Sequence, residues 1–203
     1  MGKIFDGIPC MKTKKLPRKS GMPPGSLVYN TQNGVPADAK ITLFDFDEQH
    51  CIEKTLIKIE DCLPFANASS VTWINVDSVQ IPGVLEAFGK TLNLHPLVLE
   101  DILNTEQRPK YEDYDDYVYV VAKMLDVEGP HKQMTIEQLS LVIGANYVIS
   151  FQERPGDVFN PLRERIRKGV GRVRKLRPDY TVYAILDAVV DRNFDVLDHM
   201  GEK

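Results

Sequence analysis

The chain has 203 residues, 43% of them hydrophobic and 27% charged, with a formal net charge of -4. These are ordinary values for a soluble globular protein with length enough for a substantial core, and they give no global bias toward nucleic acid. Three cysteines without C-x-x-C spacing argue against a disulfide framework or a thiolate zinc site and fit a reducing compartment. The basic N-terminus lacks the apolar stretch of a signal peptide. No apolar run approaches the roughly 18 residues that cross a bilayer, so this stretch of chain is expected not to span a membrane.

Residues 1–25 read as a flexible basic segment, because "MKTKKLPRKSGMPPG" is rich in Pro and Gly and has no hydrophobic period. Four strands are then expected: "SLVYN" (Ser26–Asn30), "KITLFDF" (Lys40–Phe46), "TLIKI" (Thr55–Ile59) and "VTWINV" (Val71–Val76), the last built of β-branched residues around the only tryptophan. In Lys40–Phe46, apolar residues fall at both parities, which predicts a strand covered on both faces.

The period then changes. After Pro82, the spacing of Val84, Leu85, Phe88 and Leu92 predicts a helix, and His95-Pro96 opens a second one, "HPLVLEDILN". A polar joint, "NTEQRPKYEDYDD", leads to three further strands: Tyr117–Val127, Ile136–Gly144 and Asn146–Gln152. "GAN" between the last two reads as a tight turn, since Gly and Asn tolerate positive φ. The remainder is helical. Asp157 or Asn160-Pro161 opens one segment, Gly169 and Gly171 interrupt it, and Pro178-Asp179 begins a final helix.

Four strands, two helices, three strands and more helices predict an α/β/α sandwich with a mixed, roughly seven-stranded sheet and a long C-terminal helix. The expected divisions are 1–25, a domain over 26–177, and the last helix over 178–203.

Two groups of acids stand out. On the final helix Asp187, Asp191, Asp195 and Asp198 recur at four, four and three residues, so they form a stripe beside Leu186, Val189, Val190, Phe194 and Leu197. Like charges at i,i+4 destabilise a helix by roughly 0.2–0.5 kcal/mol per pair. A solvated acidic face accounts for this stripe, and so does an oxygen-seeking divalent cation that offsets the repulsion. On the "HPLVLEDILN" helix, Leu94, Leu97, Val98 and Ile102 are expected inside, with Glu100 and Asp101 at the margin. Solvent or the nearby Arg108 and Lys110 could satisfy this pair. No nucleophile, phosphate loop or histidine constellation accompanies it, so enzymatic work such as metal-assisted hydrolysis is not expected.

A third feature is the basic run Arg163–Arg177, with eight Lys or Arg and one Glu. It could contact phosphates of a nucleic acid or another anionic surface. The absence of interleaved aromatics weighs against nucleic acid, and a counterweight to acidic neighbours fits as well.

"WINV", "HPLVLEDILNTEQRPKYEDYDDYVYVVAKML", "ISFQERPGDVFNPLRERIR" and "DYTVYAILDAVVDRNF", with "GMPPGSLVY" near the start, together resemble the N-terminal cytoplasmic domain of CorA-type magnesium/cobalt transporters over about residues 22–200. The resemblance implies a homopentameric channel for Mg²⁺, and also Co²⁺ or Ni²⁺, in the cell membrane. It implies an α/β/α domain on the cytoplasmic face, followed by a stalk helix. It further implies that Mg²⁺, with Co²⁺ or Ca²⁺ as substitutes, binds between neighbouring domains and favours the closed state. Glu100, Asp101, Asp187 and Asp191 match the family positions for these ions, whereas Asp195 and Asp198 match none. The Gly-Met-Asn pore signature, both membrane spans and a partner aspartate from the later stalk do not occur in this sequence. The resemblance therefore implies a soluble fragment, monomeric by itself, with half of its main metal site.

Overall fold

The computed structural model describes residues 21–29, 40–128 and 133–201. Cys10 and most of the expected basic segment lie outside these residues. The elements are β1 (Ile41–Phe46), β2 (Cys51–Leu56), a 3₁₀ turn (Ile59–Cys62) running into α1 (Leu63–Ala66), β3 (Val71–Val76), α2 (Val84–Thr91) and α3 (Pro96–Leu103). They continue with β4 (Lys110–Asp113), β5 (Val118–Glu128), β6 (Gln133–Ile143), β7 (Tyr147–Phe151), α4 (Asn160–Lys168) and α5 (Pro178–Gly201). The seven strands form one mixed sheet in the order β2-β1-β3-β7-β6-β5-β4, in which only β3 and β7 run parallel.

Strand alternation divides the apolar residues between two cores. Ile41, Leu43, Ile74, Val76, Ile149 and Phe151 face α2 and α3, with Leu85, Phe88, Val98 and Ile102 packed on them. Phe44, Phe46, Trp73, Leu139, Leu141 and Val148 face the other way, against Leu162 and Ile166 of α4 and Ala184, Ile185 and Val189 of α5. The result is the α/β/α sandwich expected from the pattern. Trp73 anchors the second core: its ring stacks on Phe44 at 5.3 Å and meets Phe159 edge-on at 6.1 Å. Its indole N–H donates to Ser150 Oγ at 2.9 Å, so the ring is buried without an orphaned donor.

Several local expectations are corrected. Residues 26–29 form no strand. The strand expected at Thr55–Ile59 is Cys51–Leu56 instead. The Asp47 carboxylate accepts from the N–H groups of Gln49 and His50, both at 2.7 Å, and this turn sets the register Phe46↔Cys51 through Ile41↔Leu56. Ile57 beyond it is 94% exposed. The polar joint contains a strand, β4, whose alternation of half-buried Lys110 and Glu112 with exposed Tyr111 and Asp113 suits a charged sheet edge. Positive φ is absent from the "GAN" turn. Gly144 is needed because a Cβ there would lie 2.3 Å from the Tyr147 ring.

Candidate metal centre

Helix α3 begins as expected: the His95 ring accepts from Leu97 N–H at 3.2 Å and Pro96 occupies the first turn. Its buried stripe is Val98, Leu99, Ile102 and Leu103, continuing Leu94. Leu97, expected inside, is 45% exposed. At 100° per residue Leu97 lies between Glu100 and Asp101: it is the exposed middle of that arc, the two acids are half-buried on its flanks, and Asp101 turns toward the sheet edge at Lys110.

The two acids have different surroundings. Glu100 Oε2 accepts from Gly25 N–H at 2.7 Å, tying the segment before β1 to the helix. Gly25 has φ +82°, and a Cβ there would meet Pro96 Cβ at 2.8 Å, so the approach requires glycine. Asp101 uses both oxygens within the chain. Oδ1 accepts from Gln107 Nε2 at 2.7 Å and Oδ2 from Lys110 Nζ at 2.5 Å. Lys110 also reaches Glu112 Oε1 at 2.8 Å and sits over the Tyr119 ring, 5.3 Å from its centroid. Partial burial pulls the Lys110 ammonium toward deprotonation, but the bonds to Asp101 and Glu112 outweigh it and raise its pKa. Of the two basic residues expected to satisfy Asp101, Lys110 is the partner. Gly25, Gln107 and Glu112 were not legible as contacts, because each lies across a turn or a strand pairing that only the folded chain creates.

Helix α5 carries the other acids outward. Thr181, Ala184, Ile185, Val189 and Val196 are buried, while Asp187, Asp191, Asp195 and Asp198 are exposed. The apolar side expected for this helix divides in two: Val190, Phe194 and Leu197 are 49%, 63% and 51% exposed and, with Tyr183, form a stripe opposite the buried one. Arg192 turns to the sheet, where it pairs with Asp126 of β5. Asn193 accepts from Leu125 N–H at 2.7 Å and donates to Lys123 O at 3.1 Å, fastening mid-helix to the same strand. No hydrogen bond or ion pair joins the side chain of Asp187 or Asp191 to another described residue.

The α3 and α5 acids thus lie on opposite faces of one sheet. No group of three or more His, Cys, Asp or Glu able to hold a metal occurs among the described residues. The acids of both pairs would offer carboxylate oxygens, the chemistry that suits Mg²⁺, which keeps several of its waters and uses one or two carboxylates. Within one chain the two acid pairs stay apart.

The basic run is largely committed to the fold. Arg163 forms a two-toothed pair with Asp157 at 2.5 and 2.6 Å, their side chains only 13% and 5% exposed, and lies over Trp73. Arg167 bridges Glu53 and Glu164, and Arg174 donates to the carbonyls of Ile166 and Arg167 at the end of α4. Arg163 and Arg167 thus act as the counterweight to acidic neighbours expected as one reading.

Residues 68–203 match the model of the family described as "CorA-like Mg2+ transporter protein". The chain belongs to this family. It is 40% identical over 193 residues to the cobalt/magnesium transport protein CorA of Thermotoga maritima, covering 95% of the chain and 54% of that relative. It therefore spans about half the length of the curated relative. The fold is shared with the full-length CmaX protein (TM-score 0.66, 15% identity, 81% of this chain and 49% of that one). It is also shared with the CorA magnesium transporter of Methanocaldococcus jannaschii (TM-score 0.57, 17% identity, 80% and 48%). The CorA-like match includes both acid pairs and Lys110 and omits β1 and β2. No helix among the described residues is long and apolar enough to cross a membrane.

Proposed function

We propose that this chain is the cytoplasmic Mg²⁺-sensing part of a CorA-type divalent-cation channel, in which Mg²⁺ held between neighbouring subunits favours the closed state. The observation that carries this reading is the placement of the acids. Glu100 and Asp101 lie half-buried on the α3 side of the sheet, and Asp187 and Asp191 lie exposed on the α5 side. A cation that draws on both pairs has to be shared by two chains. Family membership supplies the ion class, Mg²⁺ with Co²⁺, and the relatives are named as transporters. In this reading the channel is a pentamer, and the helix from Pro178 begins the stalk that leads to its conducting part. Rooted on the sheet by Ile185 and Val189, α5 would carry a shift between domains along its length.

Mg²⁺ titration of the isotopically labelled chain, followed by amide NMR, tests the site. Shifts are expected to concentrate around Glu100, Asp101, Asp187 and Asp191. Light scattering with and without Mg²⁺ tests sharing between chains, since the mass should rise with the ion. Spectra and mass that are both unchanged at millimolar Mg²⁺ would sink the reading.

A further inference from the structure

We propose that the Lys110 ammonium is a built-in competitor of the divalent cation at Asp101, so that this lysine keeps Mg²⁺ binding weak and readily reversible. The inference rests on the functional reading above and concerns the regulation of that same site.

The argument begins with β4. Its period-2 alternation turns Lys110 and Glu112 toward α3, while Tyr111 and Asp113 point to solvent. Across that gap the ammonium lies 2.5 Å from Asp101 Oδ2 and 2.8 Å from Glu112 Oε1. Both Asp101 oxygens are engaged, Oδ1 by Gln107 and Oδ2 by Lys110, so a cation approaching this carboxylate meets the ammonium there. The ring of Tyr119 below favours a positive charge at this position.

A divalent ion arriving at Asp101 must displace the ammonium from Oδ2 or bind outside it against its charge. Displacement is mild, because Lys110 keeps its second carboxylate and its flexible stem lets it shift toward Glu112. The exchange leaves no buried charge unpaired. It trades one cation for another, and the local charge of Asp101, Glu112 and Lys110 stays at one net negative until the ion arrives. A sensor that has to release its ion when the concentration falls benefits from such an internal rival.

The test compares the wild-type chain with Lys110→Met and Lys110→Arg by amide NMR during Mg²⁺ titration, read at Asp101 and its neighbours. Removing a unit charge beside a divalent ion is expected to tighten binding about tenfold at a water-like dielectric. Lys110→Arg, which keeps the charge, should bind no more tightly than wild type. In the wild type itself, the ¹⁵N signal of the Lys110 ammonium should move during the titration, a readout that needs no variant to fold. Binding by wild type with no tightening in Lys110→Met, or with equal tightening in Lys110→Arg, overturns the competitor role. So does a Mg²⁺ response at Asp101 that leaves the Lys110 signal unmoved. Lack of response in all three proteins overturns the Mg²⁺-sensing reading instead. A response in Lys110→Met alone supports the inference most directly.

Discussion

Helices α3 and α5 each carry a pair of acids, but only those of α3 are woven into the fold. Glu100 holds the backbone of Gly25, and Asp101 is fully engaged by Gln107 and Lys110. Asp187 and Asp191 lie one helical turn apart, exposed, while the nearest arginine, Arg192, is drawn away to Asp126. The contrast teaches that one set of acids contributes to stability and the other opposes it. An acid stripe that weakens its own helix is accounted for by solvation of that face, and equally by a cation that offsets the repulsion.

The comparison between engaged and idle acids can be tested, beginning with the most deeply engaged carboxylate. Asp157→Ala would strand Arg163 beside Trp73 with its buried pair broken. A loss of about 3–5 kcal/mol is expected in urea unfolding, and a loss below 1 kcal/mol would show that solvent reaches the pair readily.

Glu137 comes next. Burial on β6 pushes its carboxyl up to about 7, against the pull of Arg154 and the N–H groups of Glu153 and Arg154. With the folded-state pKa above the unfolded one, the folded chain binds more protons between about pH 4.5 and 7. This group's contribution to stability is therefore greatest below that window and falls by about 3 kcal/mol as pH rises through it. Glu137→Gln should flatten the difference in urea stability between pH 5 and pH 8. An unchanged pH profile would remove Glu137 as its cause.

Smaller effects separate α3 from α5 directly. Asp101→Ala leaves Lys110 with Glu112 alone and is expected to destabilise by about 1–2 kcal/mol in the same unfolding measurement. Asp187→Asn or Asp191→Asn should instead stabilise the chain by about 0.2–0.5 kcal/mol in metal-free buffer, through relief of i,i+4 repulsion. A destabilising result for either α5 variant would mean that these acids have a structural role after all.

Much of the architecture was legible because burial imposes a period. The two-faced strand β1, the long strands β5 and β6, and the helices α2 and α5 follow from residue spacing together with proline placement. Edge elements were not legible. β4 is polar and half exposed, so no apolar alternation marks it, and β2 is set by the Asp47 turn rather than by its apolar content. Leu97 shows the same limit within a helix, because an apolar residue's period does not tell whether a partner layer covers it.

By itself the sequence determined which residue types recur at which spacing: two acid groups on two helices, a basic run and two apolar parities in the central strands. That is enough to specify layers, since each strand or helix face must be buried or solvated according to its side chains. The tertiary structure alone decided who meets whom. It put the two acid pairs on opposite faces of the sheet, committed the arginines of the basic run to Asp157 and Glu53, and brought Lys110 onto Asp101 through an edge strand. Those pairings depend on strand order and register, which join residues distant in the chain.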